Sequence, residues 1–314
     1  MFYFIYQIFI NFTKRERQVF YSASIIFFIS GILLLIYVFQ TQTIEVPQSS
    51  NLYREGIIGQ PTAINPVLTG NNDADRDLAE LLFSSVLNLT ENYKKSDNGQ
   101  TWNLTLKQDL RWSDGKPLTT DDIIFTLDTI QNSDSRSPLF STWQGVIANR
   151  ISEREIEFSL RTPYAFFLDN LNNFKVIPKH IFGHIPTENI KLSNYNYEPI
   201  GNGPYKFSSL KREADGFITE YLLITNEHFA KEKPLIKNFN VKFYTNSVKL
   251  LNAFNMREID GLGGLNPKNI DALRLTHNTI EKNLSQYYAI FLNKNTSAVL
   301  NDKQLVTALD IATN

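Results

Sequence analysis

The chain has 314 residues, 31 basic against 32 acidic side chains for a formal net charge of -1, and no cysteine. At about 150 residues per domain, that length accommodates two domains. The charge balance argues against a dedicated nucleic-acid binder, which presents a basic face. Absence of cysteine removes disulfide scaffolds, thiolate metal sites, cysteine nucleophiles and a lipid anchor on an N-terminal cysteine.

The first element is apolar. Ile25–Phe39 reads IIFFISGILLLIYVF, and with its flanks from Ser22 to Gln40 it approaches the ~20 residues that cross a bilayer core. Lys14, Arg15 and Arg17 precede it against Glu16 alone. The positive-inside rule then puts residues 1–20 in the cytoplasm and everything after Gln40 outside. A cleaved signal peptide is the rival reading. It has a shorter apolar region and an A-x-A-like site, which Thr41-Gln-Thr-Ile-Glu45 lacks, so an uncleaved single-pass anchor is expected.

Beyond Pro47 the composition is that of a soluble domain. Leu52–Gln60 reads as a strand closing at glycines, followed by the breakers Pro61 and Pro66. Leu78, Leu81, Leu82, Val86 and Leu89 fall at helical spacing behind the acidic Asp73-Ala-Asp75-Arg-Asp77, which suits a helix N-terminus. A calcium loop needs Gly at position six and Glu at twelve; Leu78 and Ser84 stand there. Thr101–Lys107 alternates Trp102, Leu104 and Leu106 inward as a half-buried strand. Ser113-Asp-Gly115 is turn chemistry, and Thr119 or Thr120 caps a helix whose first turn carries Asp121 and Asp122. Adjacent helical residues point about 100° apart, so capping explains these two carboxylates better than an acid/base pair does.

Strands are expected over Glu155–Leu160, Phe174–Ile177, Tyr221–Thr225 and Phe239–Tyr244, a tight loop over Pro199–Tyr205, and a helix over Val248–Asn255. His180 and His184 have i, i+4 spacing, but no Glu completes an H-E-x-x-H pattern and Gly183 weakens the helix, so no metal is assigned. No G-x-S-x-G or P-loop occurs, no base meets an orienting group, and no cofactor or enzymatic role is expected.

Three segments together resemble one family. They are WNLTLKQDLRWSDGKPLTTDDIIFTL (102–127), PIGNGPYKF (199–207), and the block from Val248 through EIDGL (258–262) to YYAIFLNKN (287–295), with IPKHIF (177–182) also fitting. They are similar to the family 5 extracellular solute-binding proteins, the oligopeptide- and dipeptide-binding components of ABC importers. The resemblance spans about residues 50–314. It implies an α/β, periplasmic-binding-protein-like fold of two lobes with an inserted subdomain. Residues 47–76 and 172–260 would form the first lobe, 77–171 the insertion, and 261–314 the start of the second lobe, with 1–46 as tail and anchor. KQLVTALDIATN (303–314) resembles the helix opening the large C-terminal lobe, so that lobe is expected to be incomplete.

The function so implied is capture of a peptide or other small solute outside the cell and its delivery to an ABC permease. Backbone addition in a cleft tolerates varied side chains, and hinge closure reports occupancy. The candidate ligand-binding residues are Gly59, Gln60 and Pro61 after the first strand and Asn202 in the Gly-Asn-Gly loop. Across the hinge they are Tyr287, Tyr288 and Asn293. The rival roles are turn formation for the glycines and core packing for the tyrosines. Other readings of the chain are a surface sensor of the same fold and a non-functional fragment.

Overall fold

The computed structural model describes residues 12–42, 50–281, 291–293 and 295–313. Residues up to Ala272 gather into one unit and residues from Leu273 into a second. The candidates Tyr287 and Tyr288 lie outside the described residues.

Helix α1 (Lys14–Gln42) opens the chain. Thr13 and Glu16 form its capping box, with Thr13 N–H donating to Glu16 Oε2 at 2.7 Å. Its run from Lys14 to Val38 is long and apolar enough to cross a membrane, and none of that run is covered by protein.

Five strands form the first sheet: β1 (Ser50–Ile58), β6 (Tyr205–Arg212), β7 (Ile218–Thr225), β8 (Ile236–Tyr244) and β9 (Gly261–Leu262). Their order is β6-β7-β8-β1-β9, with β1 parallel to both β8 and β9. The register sets Tyr53 against Phe239 and Ile57 against Phe243, while β7 sets Tyr221 against Val241 and Leu223 against Phe239. Period-two alternation therefore gathers these residues on one face, where Ile57, Tyr221, Leu223, Val241 and Phe243 are buried.

The second sheet is antiparallel and lies wholly between them in sequence: β2 (Thr90–Lys95), β3 (Thr101–Leu106), β4 (Ile147–Arg150) and β5 (Glu155–Ser159), ordered β2-β3-β5-β4. Strands β2 and β4 were not apparent in the sequence. Both are edge strands with mostly exposed side chains, so they carry little apolar periodicity. The inward face of β3 puts Trp102 against Phe167, ring centroids 5.5 Å apart. One apolar core runs continuously through both sheets.

Helix α2 (Asp73–Leu82) starts and stops earlier than its apolar spacing predicts. Asn72 caps it, and at Phe83 the chain turns extended because the next residues are drawn into pairing elsewhere, as described below. Val86–Leu89 forms only a separate turn of helix. Phe174–Ile177, expected as a strand, makes one isolated bridge, Ser85 to Lys175.

Helix α3 (Thr120–Gln131) is capped by Thr119, whose side chain receives the Asp121 N–H while the Asp122 carboxylate accepts the Thr119 N–H at 2.9 Å. The other oxygen of Asp122 accepts the Lys179 N–H at 2.9 Å, tying the helix start to the IPKHIF segment. Thr119→Ala is expected to cost about 1 kcal/mol, read as a lower urea midpoint with unchanged slope. Helix α4 (Ser247–Asn255) packs on β1 at Gly56, where an added Cβ would lie 2.5 Å from the Leu250 and Ile259 methyls. In the second unit, α5 (Lys303–Thr313) is capped by Asp302, whose Oδ1 accepts the Gln304 N–H at 2.8 Å.

Candidate functional site

Strand β1 ends at Ile58, and the next residue, Gly59, has a φ of +99° that turns the chain out of the sheet. Gly59 is exposed and its N–H still reaches the Tyr244 carbonyl at 2.9 Å. Open space surrounds the position of its missing Cβ. The following residues are held from several sides. Gln60 Oε1 accepts the Ile218 N–H at 2.8 Å, and the Gln60 carbonyl accepts from Asn72 Nδ2 at 3.0 Å. Pro61 is buried.

The principal clamp is Asp75, only 2% exposed. Its carboxylate accepts from Thr62 N at 2.7 Å, Thr62 Oγ1 at 2.6 Å and Ala63 N at 3.1 Å. A buried carboxylate needs such donors to offset its lost hydration. The acidic run at the start of α2 thus does more than suit the helix dipole. Asp75 turns inward and holds the loop that follows β1. Sequence spacing did not reveal this, because Thr62 and Asp75 belong to different elements.

Asn202 sits at the other end of α2. Its Oδ1 accepts the Ser84 N–H at 2.9 Å and its carbonyl accepts from Ser84 Oγ at 3.2 Å. Beside it, Gly203 N–H donates to the Leu82 carbonyl at 2.8 Å, and Gly201 O accepts the Ser113 N–H at 2.8 Å. The Trp112–Pro117 turn and the Pro199–Tyr205 loop therefore meet, and the loop braces the end of α2. Asp114 Oδ2 lies 2.8 Å from His180 Nε2, which adds the IPKHIF segment to the same junction. The loop that holds Asn202 is a structural joint, and Gly59–Pro61 stands apart from it by the length of α2, about 15 Å. In the second unit, Asn293 is exposed and closes a local turn, its carbonyl accepting from Thr296 Oγ1 at 3.0 Å.

Where β9 runs along β1, Arg54 grips Asp260 with two bonds, Nε–Oδ2 at 2.9 Å and Nη2–Oδ1 at 2.7 Å. Tyr53 donates its hydroxyl to Glu55 Oε2 at 2.7 Å and lies over Gly261, where any side chain would strike that hydroxyl. Burial pushes the Glu55 carboxyl up; the Tyr53 hydrogen bond draws it back, and the Asp77 carboxylate adds to the rise. Burial, followed by the Asp73 charge, also raises Asp77.

An acid raised in the folded chain ionises more readily when unfolded. Stability therefore falls as pH climbs from about 4 through the raised folded range, and is level above it. Glu55→Gln keeps an acceptor for Tyr53 and removes one such ionisation. Urea unfolding at pH 4 and pH 7.5 should show a flatter profile and a gain at the higher pH. An unchanged profile would place the pH dependence elsewhere.

A parallel β1–β8 pairing, an antiparallel inserted sheet and a clamped loop after β1 define a protein of the periplasmic-binding-protein-like α/β class. The substrate-binding protein CtaP of an ABC transporter from Listeria monocytogenes superposes with a TM-score of 0.64 at 26% identity, over 72% of this chain and 47% of that one. The oligopeptide-binding protein AppA of Bacillus subtilis, solved with a nonapeptide, gives 0.62 at 25%, over 68% and 44%. In sequence, AppA is 30% identical over 179 residues, 53% of this chain and 33% of that protein. The family described as bacterial extracellular solute-binding proteins, family 5 Middle, matches residues 85–314. The chain belongs to this family. It spans less than half the length of the relatives it matches.

Proposed function

We propose that this chain is a membrane-anchored extracellular substrate-binding protein that captures peptides and passes them to an ABC permease, with no catalytic step. The observation that carries the reading is the loop Gly59–Ala63. It is exposed at Gly59 and braced by a buried carboxylate, in a chain similar to AppA, which was solved with a nonapeptide. A wall fixed in advance loses little entropy when an extended backbone adds to it.

In this reading Gly59 and Gln60 form part of the ligand wall with Pro61 buried behind them, and Asn202, expected from the sequence to bind ligand, is 2% exposed and bonded to Ser84, so it supports the lobe instead. Tyr287, Tyr288 and Asn293 contribute from the second lobe. Residues 47–76 and 172–260 form the first lobe, 77–171 the inserted subdomain and 261–314 the start of the second lobe. The sheets support the first lobe and its insertion, since β1 and β6–β8 come from the flanking segments and β2–β5 from the insertion, while β9 (Gly261–Leu262) pairs with β1 and carries the first sheet just past the proposed boundary. Helix α1 is the anchor, supported by its uncovered apolar surface.

Calorimetry of the full chain in detergent with a nonapeptide tests capture. Weak binding that falls further in Gln60→Ala is expected; no binding to any of a panel of peptides would end the reading. The lack of native cysteine makes topology simple to read. Asp97→Cys should react with an impermeant maleimide in intact cells, and Thr13→Cys only after permeabilisation. A mature protein that has lost α1 would replace the anchor with a cleaved leader. Co-purification with a permease after cross-linking tests delivery.

A further inference from the structure

Beyond the loop after β1, the first unit contains a cavity of about 320 Å³ at the C-terminal end of α2. This is at the lower end of the range for small-molecule pockets. Lys175, Lys231, Glu80 and Asn88 line it, with Phe229 and Pro204 as apolar wall. Its two ammonium groups outnumber its one carboxylate.

The ion pairing within it is uneven. The Lys175 side chain is 11% exposed and pairs with Glu80, whose side chain is 70% exposed. A nearly buried ammonium requires a counter-charge. Here that charge comes from the solvent side on a side chain with room to rotate away. A carboxylate arriving from solution can take its place without stranding the cation. Lys231 Nζ donates to the neutral Asn88 Oδ1 at 2.7 Å, and among the described residues no carboxylate forms an ion pair with it. A second anion-binding group therefore stands ready in the same cavity.

We propose that this cavity is a second binding site, taking a small carboxylate that carries an apolar group. The carboxylate would bridge Lys231 and Lys175 in exchange for Glu80, and the apolar group would rest on Phe229 and Pro204. The site lies at the opposite end of α2 from Gln60, about 15 Å away along the ten-residue helix. It is also too small for an oligopeptide. The proposal does not depend on the peptide-binding reading.

The test uses the full chain in detergent, with N-acetyl-phenylalanine as probe and its amide as the uncharged comparison, both by calorimetry. The acid should bind saturably, and the amide about tenfold more weakly or not at all. Lys231→Met should weaken the acid by about tenfold while leaving nonapeptide binding unchanged. Glu80→Gln removes the competing carboxylate and should tighten the acid, an effect that a merely structural role for Glu80 would not produce. Affinity should also fall with added salt. Equal binding of acid and amide, no binding of either, or wild-type affinity in Lys231→Met would each overturn the proposal. Loss of nonapeptide binding alone would count against the peptide reading and leave this one standing.

Discussion

Gly203→Ala is expected to destabilise the folded chain by about 3 kcal/mol, near the upper end for overpacking. An added Cβ would lie 2.5 Å from the Leu82 carbonyl carbon, 2.7 Å from the Phe83 nitrogen and 2.8 Å from the Leu81 oxygen. All three are backbone atoms at the end of α2, so no side chain can swing aside. Relief requires parting the loop from the helix, which breaks the Gly203–Leu82 hydrogen bond and strains the Asn202–Ser84 pair. Against a total stability of about 5–15 kcal/mol the loss is large. Urea unfolding measures it. Gly59→Ala is the comparison: it has open space and only its positive φ to oppose it, for about 1 kcal/mol. Equal losses in the two variants would show that the loop yields freely.

Asp75→Ala should cost about 2–3 kcal/mol by orphaning the Thr62 and Ala63 donors. Its second effect is on binding. Without the carboxylate the Gly59–Ala63 loop loses its brace, and a ligand must order it on arrival. Peptide affinity is then expected to fall by about tenfold. Asp75→Asn retains one acceptor oxygen and should be intermediate in both measures. Calorimetry beside urea unfolding separates the two effects. Lost stability with intact affinity would move the ligand wall away from this loop, and no change in either would deny Asp75 its role.

Elements with strong local signals were legible. The capped start of α3 could be read from Thr119 followed by Asp121 and Asp122. The inward alternation of β3 could be read from Trp102, Leu104 and Leu106. The apolar run of α1 needed no context at all. The edge strands β2 and β4 were not legible, because an edge strand with exposed side chains lacks the periodicity that marks a buried one. The length of α2 was not legible either, because tertiary bonds end the helix before its apolar spacing does. Its apolar spacing continues to Leu89, yet the helix stops at Leu82, where Gly203 takes its last carbonyl and Asn202 takes Ser84.

Two of the segments that carried the family resemblance contain the Trp112–Pro117 turn and the Pro199–Tyr205 loop, and the structure gives both a shared purpose. Ser113 bonds Gly201, and the glycines clear the backbone of α2. These motifs are distinctive because they form a close backbone joint, which tolerates few residues.

Sequence alone determined the apolar helix and several helices and strands of the domain after it, since periodicity and turn chemistry act between near neighbours, and the resemblance of its motif segments pointed to the solute-binding family. Only the tertiary structure decided that Asp75 braces the loop after β1, that Asn202 belongs to a joint, and that Lys175 and Lys231 face one cavity. Each of these joins residues far apart in the chain, and burial and charge pairing between such residues exist only once the chain has closed on itself.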